Sequence, residues 1–481
     1  MSRRLSVKVE MGLALLVAWA AAAHAQETTS APTTAVEQRL AAQEARLREQ
    51  EARLHEQEAR LKDQDARLQA QEKRSQARDE TLRQRILGLG PDGFIFGTRD
   101  SGFQLRIRGV VQADGRAYFA TANNQPLPDQ FLIRRARPIL EGTIGDFVDF
   151  RILPEFGQGN FQLLDAYIDL RPWKWLALRG GKYKTPFGLE RLQQEQFLLF
   201  VERGLPQNLV PDRDIGASLH GDVGGGMLLY EAGVFNGTVD GGNVDGDTND
   251  GKDWVFRLFS RPFARLRSDA IRNLGIGFAA TYGKQRGTIA ATGLPQLKTT
   301  GQNTFFSYLL DPSGVKPSIV ALGDRYRFSP QLDYYVGPVG LLAEYVYSAT
   351  TVTPYLSGVE TRLANQAWQV QASVVVTGEH ASYEGVQPRR PFNIRQRQFG
   401  ALELAARYGE LRVDAATFPA FADPNKSARA ALEWAGEANW HFTRLVKFAM
   451  LFARTTFKGG AAGGGDRAPE NALIGRLQIA F

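Results

Sequence analysis

Hydrophobic and polar residues alternate along much of the chain between residue 88 and the C terminus. In the last segment, the residues on one face of an extended strand are Leu473, Gly475, Leu477, Ile479 and Phe481, and the other face is mostly polar. Residues 104–116 and 164–171 repeat this pattern. Strands with one apolar and one wet face are typical of a closed barrel that has lipid outside and water inside. The chain is therefore predicted to be all-β, a transmembrane antiparallel β-barrel.

The spacing of the alternating segments predicts the number of strands. If about 16 strands share the barrel, each strand with its turn takes about 24 residues, which allows spans of about ten residues. Further strand centres are predicted near Arg151, Leu178, Leu229, Phe256, Phe278, Phe306, Tyr326, Tyr345, Val370, Leu404, Val413, Trp434 and Phe448. The terminal aromatic Phe481 resembles the signal that the barrel-insertion machinery of bacterial outer membranes reads.

A seven-residue period replaces the alternation between residues 35 and 87, where Pro and Gly are absent. The leucines that recur with this period are Leu40, Leu47, Leu54, Leu61 and Leu68. With Leu at heptad position a, Gln fills the d positions, acids the e positions and Arg the g positions. In a parallel assembly Arg46 can reach Glu51 of a neighbouring chain, and Gln side chains close a ring better among three helices than between two. The heptads predict a parallel trimeric coiled coil; the alternative is a solitary charged helix that tethers the barrel.

The N terminus has the features of a cleaved secretory signal. Arg3, Arg4 and Lys8 precede an apolar stretch, and Ala23-His24-Ala25 forms an A-x-A cleavage site. No later run approaches the roughly 18 to 20 continuous apolar residues of a membrane-spanning helix. If the mature chain enters a membrane, it enters as strands.

These patterns divide the chain into three parts. Residues 1–25 are predicted to be the signal peptide, residues 26–87 a coiled-coil segment with a flexible start, and residues 88–481 the barrel. The predicted location is the bacterial outer membrane, in contact with its lipid and lipopolysaccharide, with the coiled coil in the periplasm. Although the formal net charge is +7, export and lipid-facing strands exclude nucleic acid as a partner.

Composition narrows the chemistry further. Cysteine is absent, so disulfides and Cys-ligated metals are excluded. Only His220, His380 and His441 fall in the barrel segment, with no nucleophile motif beside them, so no enzymatic activity is predicted. The acidic run at residues 240–253 resembles the opening of a calcium loop, but Asp250 occupies the position where that loop needs a glycine. Neither a metal nor a cofactor is expected.

Several motifs, in one order along the barrel, resemble the phosphate-selective porin O and P family. They are FLIRRARPILEG at 131–142, DAYIDLRP at 165–172, GKYKTPFGLE at 181–190, RDIG at 213–216 and AGVFNG at 232–237, followed by shorter matches at 377–379, 400–404 and 439–440. The similarity covers essentially the whole barrel. It implies a homotrimeric outer-membrane channel of about 16 strands that passes phosphate, polyphosphate or other anions along a series of basic residues.

Arginines on the inward face would form this anion pathway. Side chains alternate between the two faces of a strand, and we call this alternation parity. The arginines that parity or the resemblance assigns to the lumen are Arg106, Arg108, Arg116, Arg134, Arg135, Arg137, Arg151, Arg179 and Arg257. Parity alone points Arg134 outward unless a β-bulge redirects it. For any single arginine, the alternative is a polar lumen residue that is paired with an acid such as Asp114, Glu155 or Asp169.

The stretch after Lys184, up to about residue 212, is longer than an ordinary hairpin loop, which suggests a function. The resemblance implies that it folds into the pore as a constriction. Its basic residues are Lys184, Arg191, Arg203 and Arg213, and acids nearly balance them. Passive transport of anions, foremost phosphate or polyphosphate, through a lumen lined by Arg and Lys is the predicted function. There are two alternatives: a general channel for other inorganic or small organic anions, and an envelope-tethering protein whose barrel only anchors the coiled coil.

The coiled coil generates the first testable prediction. The purified mature protein should be a trimer, and deletion of residues 35–87 should lower trimer stability without abolishing conductance, because barrel contacts and pore are built elsewhere in the chain. Light scattering and heat-modifiable electrophoretic mobility measure the two effects. A stable monomer with the coil intact would contradict the prediction.

Overall fold

The structure is a computed structural model that describes residues 33–83, 85–90, 93–98, 102–120, 128–247, 249–311, 318–355 and 359–481. The predicted signal peptide lies outside these residues. Contacts divide the chain into two units, residues 1–83 and residues 84–481. No helix in the described part of the chain is long and apolar enough to cross a membrane.

The N-terminal unit contains one helix, α1, at Thr33–Arg83, which is 51 residues long. Its stripe of leucines is 57–59% exposed, so no core within the single chain holds this face. The pairs that support the helix join successive turns, as between Arg53 and Glu49 at 2.7 Å and between Arg60 and Glu56 at 2.6 Å. The coiled coil stays a prediction, and the exposed leucine stripe is the surface that it would bury.

The second unit is built almost entirely of strands. Their bounds are β1 Arg85–Gly90, β2 Gly93–Thr98, β3 Gln104–Ala120, β4 Gln130–Ile144, β5 Val148–Glu155, β6 Gln162–Trp173, β7 Leu176–Lys184, β8 Arg213–Val223, β9 Leu228–Phe235, β10 Asp253–Ser260, β11 Gly275–Arg286, β12 Leu297–Lys298, β13 Thr304–Phe306, β14 Ile319–Val336, β15 Val339–Pro354, β16 Thr361–Val375, β17 Ala401–Arg412, β18 Ala428–His441, β19 Val446–Gly459 and β20 Glu470–Ala480. Short helical turns occupy Gly157–Gly159, Leu189–Leu192, Glu195–Phe197, Leu205–Leu209, Asp269–Arg272, Ala415–Thr417 and Ala462–Gly464.

Sixteen of these strands, β3 to β11 and β14 to β20, form a closed antiparallel barrel. Each pairs with its neighbour in sequence, and β20 closes the ring by pairing with β3, from Glu470 opposite Ala120 to Ala480 opposite Val110. The predicted fold class and strand number are confirmed. The hairpin of β1 and β2 pairs with the first residues of β3, which extend beyond the end of β20.

The alternation of the sequence separates the two faces of the wall. On β20, Arg476 and Gln478 point inward and are 2% and 5% exposed, whereas Leu477 and Ile479 point outward and are 50% and 46% exposed. An apolar outer face of this kind is suited to lipid. Two predicted strand centres were wrong: Phe306 lies in the two-stranded sheet of β12 and β13, inside a loop, and Val413 follows the end of β17.

The C-terminal residue completes the seam of the barrel. Phe481 N–H donates to Gly109 O at 2.9 Å, and Gly109 N–H donates to Phe481 O at 2.7 Å. The ring of Phe481 meets the ring of Phe94 edge-on, with centroids 6.2 Å apart. A Cβ on Gly109 would lie 2.7 Å from the ring of Phe481, so only glycine leaves room for this aromatic against β3.

The contacts of Phe481 predict that Val substitutions of two glycines of β3 affect stability differently. Gly109→Val should push Phe481 away, at a cost of about 1–3 kcal/mol, and so lower the melting temperature and the folded fraction. Gly115→Val is the matched control, because its Cβ would meet only Phe131, which is 94% exposed and free to turn away. Heat-modifiable mobility of both variants checks the prediction; equal stability would contradict it.

Candidate ion pathway

Residues 185–212 join β7 to β8 and fold back into the barrel; they are named here the pore loop. Phe187, Phe200 and Leu209 of this loop are fully buried. Gly188 has a φ of +80°, and the side chain of Val210 lies 2.7 Å from the place of a Cβ, so the chain turns sharply at a position that favours glycine. The inward fold that the resemblance implied is therefore present.

Carboxylates on the opposite wall hold the backbone of the pore loop. Leu189 N–H donates to Glu344 of β15 at 2.8 Å, and Val201 N–H donates to Glu437 of β18 at 2.9 Å. Farther along the same wall, Asn439 donates to Leu199 O at 2.8 Å. The loop thus crosses the lumen from β7 to the strands on its other side.

Glu202 of the pore loop fixes one end of the constriction. Its carboxylate accepts hydrogen bonds from Arg116 at 2.7 Å, Arg134 at 2.6 Å and Arg476 at 3.1 Å. Burial alone would raise the pKa of Glu202, but the guanidinium groups, with Arg134 foremost, hold it well below its ordinary value. Asp114 completes the cluster, since both Arg116 and Arg476 also bond to it at 2.8 Å.

Glu195 holds a second cluster of charges around the pore loop. Its carboxylate lies 3.1 Å from Arg137, 3.3 Å from Lys184 and 3.4 Å from Arg203. Burial would raise the pKa of Glu195, but Lys184 and Arg137 keep it well below its ordinary value. Arg213 lies 3.7 Å from the same carboxylate, so four cations share one acid.

Asp212 and Asp165 compensate the remaining cations of the loop. Arg191 lies 2.9 Å from Asp212, and Arg213 lies 2.9 Å from Asp165. Burial would raise the pKa of Asp212, but Arg191 and Arg213 lower it to about 2. Each basic residue predicted at the constriction is therefore paired with an acid.

Most of the predicted wall arginines are paired as well. Arg108 lies 2.8 Å from Glu141, and Arg151 lies 3.0 Å from Asp165. Arg179 lies 2.6 Å from Asp169. Together with Arg116, Arg134 and Arg137, six of the nine predicted arginines have carboxylate partners. The alternative considered for any single arginine, a paired lumen residue, describes the majority.

A β-bulge turns Arg134 into the lumen. The register of β3 and β4 passes from Gln112 opposite Arg135 to Ala113 opposite Ile133, which leaves Arg134 as the extra residue. Its guanidinium then reaches Glu202, which parity alone would not allow.

Three predicted arginines have no carboxylate within 4.0 Å among the described residues. Arg106 bonds only to Gln104, at 2.9 Å. Arg135 is 4% exposed, donates only to Gln112 at 2.6 Å, and its Nε is buried without a partner. The side chain of Arg257 makes no hydrogen bond to the described residues, and its guanidinium lies 5.1 Å from the ring centroid of Phe259.

Four inward arginines were missed from the sequence, although the alternation around each gives the correct face: Arg325, Arg327, Arg407 and Arg476. Arg325 lies 2.8 Å from Asp253, and Arg407 lies 3.0 Å from Glu433. Arg327 pairs with both Asp253 and Asp240.

Basic side chains compensate several acids of the segment at residues 240–253. Asp240 and Asp253 pair with arginines of β14, Asp245 pairs with Lys182, and Asp247 lies 2.6 Å from Lys252. Within the described ranges, no group of three or more acidic or histidine side chains is arranged to hold a metal ion.

A cavity of about 540 Å³, named here the upper chamber, lies on one side of the pore loop. Seven basic side chains line it: Arg134, Arg135, Arg137, Arg191, Arg203, Arg213 and Lys298. Five acids line it as well: Glu155, Glu195, Glu202, Asp212 and Asp240. Two positive charges remain in excess, and among the described residues Arg135 and Lys298 are the lining cations with no carboxylate within 4.0 Å; of these two, Arg135 is buried and Lys298 is exposed.

A second loop, residues 376–400 between β16 and β17, enters from the end of the barrel where Phe481 lies. The other connections at that end are shorter, from the two residues between β6 and β7 to residues 261–274 between β10 and β11. Tyr383 of this loop donates its hydroxyl to Leu189 O at 2.7 Å, and Gln193 donates to Tyr383 O at 2.6 Å. The second loop therefore contacts the pore loop directly, which no sequence pattern predicted.

A closed barrel of 16 antiparallel strands, with a loop folded into its charged lumen, defines an outer-membrane porin. Residues 103–481 match the model of the family described as phosphate-selective porin O and P, and the chain belongs to that family. The resemblance stated from the motifs is confirmed. A search of curated proteins gave no match.

Several solved structures of outer-membrane proteins are similar to this chain. The anion-selective porin from Comamonas acidovorans has a TM-score of 0.50 and 12% identity, over 79% of this chain and 100% of that chain. The outer membrane channel DcaP of Acinetobacter baumannii has a TM-score of 0.49 and 10% identity, over 79% and 98%. A loop L8 deletion mutant of OmpT from Vibrio cholerae has a TM-score of 0.49 and 9% identity, over 79% and 100%. At these identities, the likeness to the Comamonas porin concerns the fold alone.

The cluster around Glu202 predicts how the pore loop can be loosened. Glu202→Gln leaves three guanidinium groups facing a neutral amide, and breaking a buried pair typically costs about 3–5 kcal/mol. We expect a lower melting temperature and larger fluctuations of single-channel current. Glu410→Gln is the matched control, because Glu410 faces outward and its partner Arg412 is 61% exposed. Quiet, wild-type currents from Glu202→Gln would show that Glu202 does not anchor the loop.

Proposed function

We propose that this porin is a passive, anion-selective channel of the outer membrane, and that inorganic phosphate is among its permeant ions. The family supports the transport of phosphate, and the charge of the upper chamber supports the sign of the ion. Diffusion down a gradient needs only a wet path with shallow sites, which weakly compensated cations can supply.

Arg135 is the observation that carries the proposal. It is buried in the wall of the upper chamber, and its partner is the neutral side chain of Gln112 rather than a carboxylate. A buried guanidinium without a counter-ion is costly in a dry interior. An anion that passes through the chamber would compensate its charge, so this position favours anions over cations.

The extensive pairing of the other arginines favours a general small-anion channel over strict phosphate specificity. A guanidinium that already bonds to a carboxylate offers fewer free donors to a passing phosphate. Phosphate, chloride and small organic anions should therefore all permeate, with selectivity that depends mainly on charge.

We further propose that the protein is a homotrimer with α1 in the periplasm as a parallel coiled coil. The exposed leucine stripe of α1 and the matched charges at its flanks support this assembly. Phe481, which directly follows the last strand, would be presented to the barrel-insertion machinery before the seam closes, and the apolar outer wall would contact outer-membrane lipid.

The sign of selectivity can be tested at one residue. Arg135→Gln should shift the zero-current potential in a salt gradient toward non-selectivity, and the shift should grow as the screening length increases from about 10 Å at 0.1 M salt to about 30 Å at 0.01 M salt. Planar-bilayer recording of wild-type and variant trimers gives the measurement.

Arg454→Gln is the matched control. It removes the same charge from the outer face of β19, where Arg454 bonds to Asn471 at 3.1 Å, and it should leave the reversal potential unchanged. Cation selectivity of the wild-type protein would overturn the proposal. An unchanged reversal potential in Arg135→Gln would show that other residues of the lumen, and not Arg135, determine the selectivity.

A further inference from the structure

A second cavity, of about 560 Å³, lies between the pore loop, the wall at β9 to β14, and the second loop. It is named here the lower chamber, and its lining includes Leu189, Leu192, Leu229, Arg257, Phe259 and Tyr383. The volume is within the range of about 300–1,000 Å³ that is usual for small-molecule sites. It combines Arg257, which has no carboxylate within 4.0 Å among the described residues, with a group of apolar side chains, and polar side chains such as Asn273 and Ser382 complete the lining.

Arg257 is the uncompensated cation. Its Nε is buried without a partner, and no carboxylate oxygen among the described residues lies within 4.0 Å of its nitrogens. Glu231 lies directly opposite on β9, and its carboxylate accepts a hydrogen bond from Ser218 at 2.6 Å instead of forming an ion pair with Arg257 within 4.0 Å. The guanidinium is therefore available to a ligand.

The other charged side chains of the lower chamber are either paired with an opposite charge or exposed to solvent. Arg261 makes two bonds to Asp333, at 3.2 Å and 2.9 Å. Glu384, the remaining acid of the lining, is exposed to solvent in the second loop. One guanidinium thus dominates the buried part of the chamber.

The apolar lining determines the kind of anion. Leu189 and Leu192 come from the pore loop, Leu229 from β9 and Phe259 from β10. Phosphate needs several donors to replace its hydration, and the leucine and phenylalanine side chains of the lining supply none. A carboxylate can take both donors of one guanidinium, while an apolar ring attached to it fills the remaining space.

We propose that the lower chamber binds an organic monoanion with an apolar ring, such as an aromatic carboxylate, whose carboxylate bonds to Arg257. This inference rests on the anion channel proposed above, because the lower chamber is part of the same lumen and its ligand is an anion. The two loops that build the chamber are bonded to each other through Tyr383 and Gln193, so the site is formed before the ligand arrives.

Benzoate is the probe, and the detergent-purified full-length mature protein is the sample. Equilibrium dialysis should detect benzoate binding to the wild-type protein, and Arg257→Gln should weaken it at least about tenfold. Acetate, which lacks a ring, and phosphate, which lacks an apolar part, should both bind more weakly than benzoate. Arg257→Lys keeps the charge but loses the bidentate geometry, so it should lie between wild type and Arg257→Gln. Arg454→Gln should bind benzoate as the wild type does.

Two results would overturn the proposal: benzoate binding that is the same in folded Arg257→Gln and wild-type trimers, or acetate binding as tight as that of benzoate. Leu229→Ser is a second variant that leaves Arg257 in place. It should reduce the preference for benzoate over acetate, and an unchanged preference would also count against the site.

Bilayer recordings separate this proposal from the proposed function. In the wild-type channel, benzoate should cause brief blocks of the chloride current that Arg257→Gln shortens. If the channel proves non-selective but still binds benzoate through Arg257, the anion-channel proposal is contradicted and the benzoate site is supported. If the channel is anion-selective but binds no benzoate, the proposed site is contradicted and the anion-channel proposal is supported.

Discussion

The compensation of buried charge is the constraint on which the rest of the structure depends. The pore loop brings Glu195 and Glu202 into a lumen that is already rich in arginines, and neither set could be buried without the other. Their mutual attraction draws the loop across the barrel instead of leaving it over the rim. The lumen is therefore narrowed, divided into two chambers and nearly neutral in charge, all through the same ion pairs. Selectivity is left to the few cations that this arrangement does not compensate.

The fold was largely predictable because a lipid-facing wall imposes a strict period of two on the sequence. The pattern failed where apolar residues serve a different purpose. Phe305 and Phe306 are buried, yet they lie in a loop, where Phe305 packs against Phe457. A short run of aromatic residues predicts burial equally well in a strand and in a folded loop, and no polar residues alternate with it to distinguish the two.

The candidate site was predictable in direction but not in pairing. The alternation of inward and outward side chains told which arginines point inward, and it applied equally to Arg325 and Arg327, to which the sequence analysis did not extend it. The partners could not be read from the sequence, since Glu202 meets Arg476 across 274 residues of chain. The inward direction of Arg134 depends on a β-bulge, and the alternation of the sequence does not reveal where such an extra residue occurs. The entry of residues 376–400 into the lumen likewise follows from contacts between two loops rather than from any repeat.

The path of the pore loop has a mechanical consequence. A barrel wall is a single layer of strands, and without internal supports its circular section can flatten into an oval with little change in the hydrogen bonds between neighbours. Here Leu189 is tied to Glu344 on β15, Val201 to Glu437 on β18, and Glu202 to Arg116 on β3. The loop is therefore a cross-brace that fixes the width of the barrel along several diameters, so that lateral pressure from the bilayer is carried by the brace and the bore keeps its shape.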